Sequence, residues 1–260
     1  EHLSNFGGIV LTAILLSGLV VLITHTLEAI TGFGCTALAM PFVTALLGIQ
    51  MGVKSLTVIA WMLAVFVVIN NYKDINFKQY FIICAGMLLG LPVGMYIFRA
   101  FDNENLKVFL AIFICIVSTY QLAIMLLHKD EKAENQKPLN FIQKALYFIL
   151  LVFGGIVHGI FSSGGPIVVL YSKNHLTDKK SFRATLCLLW ATLNTIIIAS
   201  YLIEGSFDRQ TAVVTVELIP FLIAGIFFGN ILHEKVNERV FSYLVFTMLL
   251  ITGIFMLIFR

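Results

Sequence analysis

A chain of 260 residues that is 59% hydrophobic and only 12% charged, with a mean hydropathy of +0.96, lies far from the soluble norm of roughly 25% charged residues. It reads as an integral membrane protein. The net charge of +3 comes from scattered loop lysines and arginines, which report orientation in a membrane rather than a nucleic-acid partner. The longest polar stretch, His128 to Asn140, is too short to hold a catalytic or nucleic-acid-binding domain.

The first apolar segment, roughly 7–30, runs into Glu28-Ala29-Ile30-Thr31-Gly32-Phe33-Gly34-Cys35, where an acid and a glycine pair interrupt greasy sequence. Such an interruption is costly in a bilayer unless it lines a protected cavity. A short segment follows at 35–50, then longer ones at 53–70, 79–98 and 106–127. The charged run 128–140 divides the chain near its midpoint as a solvated linker. Beyond it the same order returns. A segment at 141–161 breaks at His158-Gly159-Ile160-Phe161-Ser162-Ser163-Gly164-Gly165, a short one covers 163–172, and longer ones cover 184–203, 209–232 and 238–259. Asp102 to Phe109 and Glu234 to Phe241, each with acid, Asn and a Val-Phe pair, precede the last segment of each half.

If all ten segments cross, the 17 lysines and arginines divide twelve to five between the two sides, whereas two re-entrant short segments give nine to eight. The positive-inside rule favours ten crossings with both termini outside. Five crossings per half is odd, so the halves are expected to be inverted relative to each other, a common transporter plan. The fold expected is all-α: a first membrane repeat over 1–127, the linker 128–140, and a second repeat over 141–260, with broken or short helices at equivalent positions.

Paired interruptions in two halves point to a transporter's binding site. Glycines beside a break let backbone N–H groups turn inward, and a half-helix that starts there presents unpaired donors with partial positive charge, for which an anion is the natural guest. The substrate-binding residues expected are Thr31, Gly32, Gly34, Cys35 and Thr36 from the first break, His158, Ser162, Ser163, Gly164 and Gly165 from the second, and Asn194 from a polar stripe in the eighth segment. Pro166 suits the first turn of a helix. Small residues at close helix contacts are the competing reading for the glycines. Glu28 and His158 stand at equivalent positions before the two breaks, and an intramembrane ionisable group is a functional hypothesis in its own right. His158 can exchange a proton near neutral pH. Proton coupling is therefore assigned to Glu28 with His158, to His25 as the partner of Glu28 three residues on, and to Glu217 as a further site. The four cysteines are scattered singly, with no metal or redox spacing, and no nucleotide motif or His-Glu-x-x-His helix occurs, so neither a metal nor a cofactor is expected.

On the runs Gly32-Phe33-Gly34-Cys35-Thr36-Ala37-Leu38-Ala39-Met40-Pro41 and Gly159-Ile160-Phe161-Ser162-Ser163-Gly164-Gly165-Pro166, the chain resembles the sulfite exporter TauE/SafE family of membrane permeases over nearly its whole length. The family's fuller glycine runs are thinned here by Cys35, Thr36, Ser162 and Ser163. The resemblance implies a non-enzymatic transporter of small anions, sulfite, sulfonates and related organosulfur oxyanions foremost, as a multi-pass protein of a bacterial or archaeal inner membrane. Its partners would be the small anionic substrate and the lipid bilayer. A passive anion channel, and an intramembrane enzyme built on Glu28, His25 and His158, are the other classes the sequence leaves open.

Overall fold

The structure, a computed structural model, describes residues 2–31, 35–127, 140–172, 175–176, 178–232 and 238–258. Every regular element among them is helical: α1 (His2–Thr31), α2 (Cys35–Leu47), α3 (Ile49–Asn71), α4 (Phe77–Ala100), α5 (Asn103–Leu127), α6 (Phe141–Phe161), α7 (Gly165–Ser172), α8 (Lys179–Ile203), α9 (Arg209–Leu232) and α10 (Glu238–Ile258), with a short 3-10 turn at Tyr72–Asp74. Hydrocarbon offers no partner for backbone N–H and C=O groups, so a spanning chain must satisfy them within each helix. Seven of the helices are long and apolar enough to cross a membrane, and the protein is a multi-pass membrane protein. The linker expected at 128–140 lies outside the described residues except Asn140.

Polar caps set the helix starts. Asn76 accepts from the Gln79 N–H at the head of α4, Asp178 from Ser181 at α8, Asp208 from Thr211 at α9, and the Gln143 side chain returns to the Asn140 N–H before α6. Each satisfies a donor the helix itself cannot pair.

The packing crosses the midpoint of the chain. α4 lies against α6, α1 against α9, α5 against α10 and α3 against α8. The α4–α6 seam is made by glycines: Gly86, Gly90 and Gly94 at four-residue spacing face Gly155 and Gly159, so the two backbones nearly touch. Small residues at this spacing permit such an approach between membrane helices. The two helices run parallel, because Gly86 meets Leu151 while Gly94 meets Gly159. α1 and α9 are parallel too, with Gly18 against Phe221 and Ala29 against Gly229.

One end of the bundle is fastened by an ion pair between Arg99, at the end of α4, and Glu204, after α8. At the same end Lys54, in α3, donates to the Ser206 carbonyl at 2.8 Å. At the opposite end Tyr171, in the last turn of α7, donates to Gln79 at the start of α4 at 3.0 Å. The short helices α2 and α7 therefore run from the interior toward opposite ends.

Candidate functional site

The two breaks meet. The Thr36 hydroxyl, in the first turn of α2, donates to the Ser162 carbonyl at 2.8 Å, and the Ser162 hydroxyl lies 2.6 Å from that of Thr57 on α3. Ser162 is the one described non-glycine residue with positive φ, at 51°, a conformation a side chain adopts only when the surroundings enforce it. Its N–H closes α6 on the His158 carbonyl at 2.6 Å. The chain then passes Ser163, whose hydroxyl donates to the Phe161 carbonyl at 2.9 Å, and α7 begins at Gly165 with Pro166 next.

His158 organises the opposite wall. The Gly164 N–H donates to its Nδ1 at 3.4 Å, which leaves the proton of the neutral ring on Nε2, and Nε2 lies 3.0 Å from the Asn194 side-chain oxygen on α8. That bond orients the Asn194 amide, whose nitrogen is buried without a hydrogen-bond partner. Trp190, one turn before Asn194, stacks on the imidazole with ring centroids 5.2 Å apart. Glu28 enters from α1 with 3% of its surface exposed and interacts electrostatically with Cys187 of α8.

Together these groups enclose a cavity of about 10 Å³ lined by Glu28, Thr36, Ala37, Ala60, His158, Ser162, Ser163, Gly165, Pro166, Trp190 and Asn194, the space of a single water. First-turn residues of both short helices line it, and unpaired first-turn N–H groups carry partial positive charge. None of the described lining residues is Lys or Arg, and the hydroxyl protons of Thr36, Ser162 and Ser163 are already donated to the Ser162 carbonyl, Thr57 and the Phe161 carbonyl, so the donors this wall still offers are the Asn194 amide and backbone N–H groups. Among the described residues no three His, Cys, Asp or Glu side chains come together as a metal centre requires.

Of the residues expected at the site, the structure thus gathers Glu28, Thr36, His158, Ser162, Ser163, Gly165 and Asn194 around one cavity, with Gly164 on its rim through His158. Gly32 and Gly34 lie outside the described residues, and the side chains of Thr31 and Cys35 do so as well. His25 is fully buried, but its Nδ1 lies 2.9 Å from the Val21 carbonyl, its Nε2 has no hydrogen-bond partner, and it packs against Gly225 of α9 rather than lining the cavity. Glu217 is an exposed residue of α9, on the outward side of that helix. Thr57 and Trp190 were not expected as site residues. Thr57 carries no signal beyond a hydroxyl in an apolar segment, and Trp190 is visible only as a member of the stripe that holds Asn194.

The family profile described as Sulfite exporter TauE/SafE matches residues 16–256. No curated protein and no solved structure gives a significant match.

Proposed function

Since this chain belongs to the sulfite exporter TauE/SafE family of membrane transporters, we propose that it is a secondary active transporter of small sulfur oxyanions, working by alternating access around the cavity where its two breaks meet. The observation that carries the reading is the composition of that wall: two helix starts and an unpartnered amide of Asn194 converge on one point, beside the hydroxyls of Thr36, Ser162 and Ser163 that tie the breaks together. Such donors neutralise an oxyanion without the cost of a buried guanidinium. The short helices run to opposite ends, and the packing pairs α1 with α9 as it pairs α4 with α6. Both features support two inverted repeats, 1–127 and 141–260.

The cavity holds about one water, so a sulfite-sized ion enters only if α2 or α7 moves. An open pore has no such requirement, and the enclosure supports a carrier over a channel. Glu28 shares the cavity with the proposed anion and would repel it as a carboxylate, so protonation of Glu28 accompanies anion binding, and the His158–Asn194 pair is the second place for the proton. His25 and Glu217 stand off the cavity and take no part in this scheme.

The test is uptake of radiolabelled sulfite, with thiosulfate and short sulfonates as competitors, into proteoliposomes bearing the full chain under an imposed pH gradient. Uphill uptake that collapses with the gradient, and is abolished in His158→Ala and Ser163→Ala proteins that still fold, is the expected result. Downhill flux indifferent to the gradient would establish a channel, and full activity in both variants would remove the site.

A further inference from the structure

A second cavity lies at the end of the bundle opposite the Arg99–Glu204 ion pair, between the starts of α4 and α6. It measures about 450 Å³ and is lined by Lys78, Gln79 and Ile82 from α4, Lys144, Tyr147, Phe148 and Leu151 from α6, and Tyr171 and His175 around the end of α7. Three observations bear on what fills it.

The first is charge. Lys78 and Lys144 stand in the first turns of two parallel helices, where the macrodipole disfavours a cation, and neither first turn contains an acidic residue. Among the described residues neither lysine forms an ion pair, and none of the cavity's described lining residues is acidic. Two ammonium groups and two positive helix ends thus share one concavity, with no counter-charge among the described residues that line it.

The second is the orientation of the neutral groups. Gln79 spends its carbonyl oxygen on the Tyr171 hydroxyl, which leaves its NH2 donors to the cavity. The His175 ring stacks on Tyr171 at 4.2 Å, and Tyr147 meets both rings edge-on, forming a stiff aromatic side wall.

The third is the gradient of polarity along the cavity. One turn from the lysines the lining changes to Ile82 and Phe148, both exposed on the outer surface of the helices, with Leu151 fully buried against Gly86 as the floor. A free inorganic ion has no use for that half, whereas a lipid has a use for both.

We infer that this cavity binds the phosphate headgroup of an anionic phospholipid, with Lys78 and Lys144 on the phosphate and the glycerol and upper acyl carbons along Ile82 and Phe148. Basic pockets between membrane helices hold such headgroups by this combination. The site stands apart from the central cavity and does not depend on what that cavity carries. It touches the last turn of α7, whose first turn lines the central cavity, so its occupant braces one of the two helices that transport must move.

The test uses the full chain in detergent, with phosphatidylglycerol and phosphatidylcholine of matched acyl chains titrated separately and adducts counted by native mass spectrometry. A clear preference for phosphatidylglycerol is expected, weakened about 30-fold in the Lys78→Gln/Lys144→Gln protein from the loss of two lysine contacts. Both lysines are exposed, so the variant should keep its helicity and melting temperature in detergent alone. Lys73→Gln/Lys180→Gln, at the same end but outside the cavity, should retain the preference. The inference is overturned if the Lys78/Lys144 variant keeps the preference, if the control pair loses it equally, or if inorganic phosphate at the same concentration displaces the lipid.

Discussion

Gly90→Ala is the sharpest probe of the α4–α6 seam, because two physical effects predict opposite signs. Alanine is the better helix former by roughly 1 kcal/mol, so at an unconstrained position the change stabilises. In this seam a Cβ on residue 90 would lie 1.9 Å from the Val152 carbonyl oxygen and 2.8 Å from the Ile156 nitrogen, where 3.0 Å is the practical minimum. Both obstacles are backbone, so no side chain can swing aside, and the helices must part by just over an ångström. A gap of that size forfeits a quarter to a half of each dispersion contact it opens. The clash should therefore outweigh the propensity gain and leave a net loss of about 2 kcal/mol, within the usual cost of overpacking. Function should fall further than stability, because α6 carries His158 and Ser162, and a shift of about 1 Å at a site can cost on the order of 100-fold in rate. The assays are reversible unfolding in mixed micelles and initial uptake in proteoliposomes. Gly154→Ala serves as comparison, since the nearest atoms to its added Cβ belong to side chains, Ile167 at 3.2 Å and Val168 at 3.8 Å. If Gly90→Ala proves as stable as wild type or more so, the backbone contact is not as described.

Further outcomes are expected. Ser162→Ala should be less stable than Ser162→Gly by about 1 kcal/mol, since both lose the hydroxyl beside Thr57 but only glycine accepts φ 51° without strain; equal stabilities in chemical unfolding would count against a strained node. Asn194→Leu should abolish uptake while leaving the fold intact, and its failure to do so would show that the unpartnered amide is not a substrate contact. Asp208→Ala should cost about 1 kcal/mol at neutral pH through loss of the α9 cap. The Thr211 hydroxyl and N–H hold the Asp208 carboxyl below the usual carboxylate range, so this contribution is complete above the ordinary pKa and fades as pH falls through the depressed one. Wild type and variant should converge in acid, and a gap that persists there would exclude the ionised cap as its source.

Residues with a backbone role were the legible ones. The glycines and serines of the second break, and His158 just before it, stand out because polar and flexible residues are costly in apolar sequence, and they meet at the cavity. Side-chain direction was harder to read. His25 and Glu28 are three residues apart and nominally share a face, yet Glu28 turns to the cavity while His25 faces α9, because positions three apart differ by about 60° around the helix. Glu217, named from the sequence as a further proton-coupling site, lies on the outward side of α9, a helix apolar all round whose pattern names no inner face. Thr57 reaches the site only because the fold sets α3 beside Ser162 at the break after α6, a tertiary fact with no local trace. The eighth segment, expected from residue 184, starts at Lys179, where the Asp178 cap extends the helix into polar sequence that hydropathy ignores.

The glycine seam has a consequence for how the molecule is made. α4 belongs to the first half of the chain and its main partner α6 to the second, as do α1 and α9. While the ribosome is still producing the second half, α1 and α4 sit in the bilayer with their small-residue faces bare to lipid. Assembly of the core waits for the last helices, and a chain truncated after α5 leaves two unsatisfied seams for quality-control proteases to find.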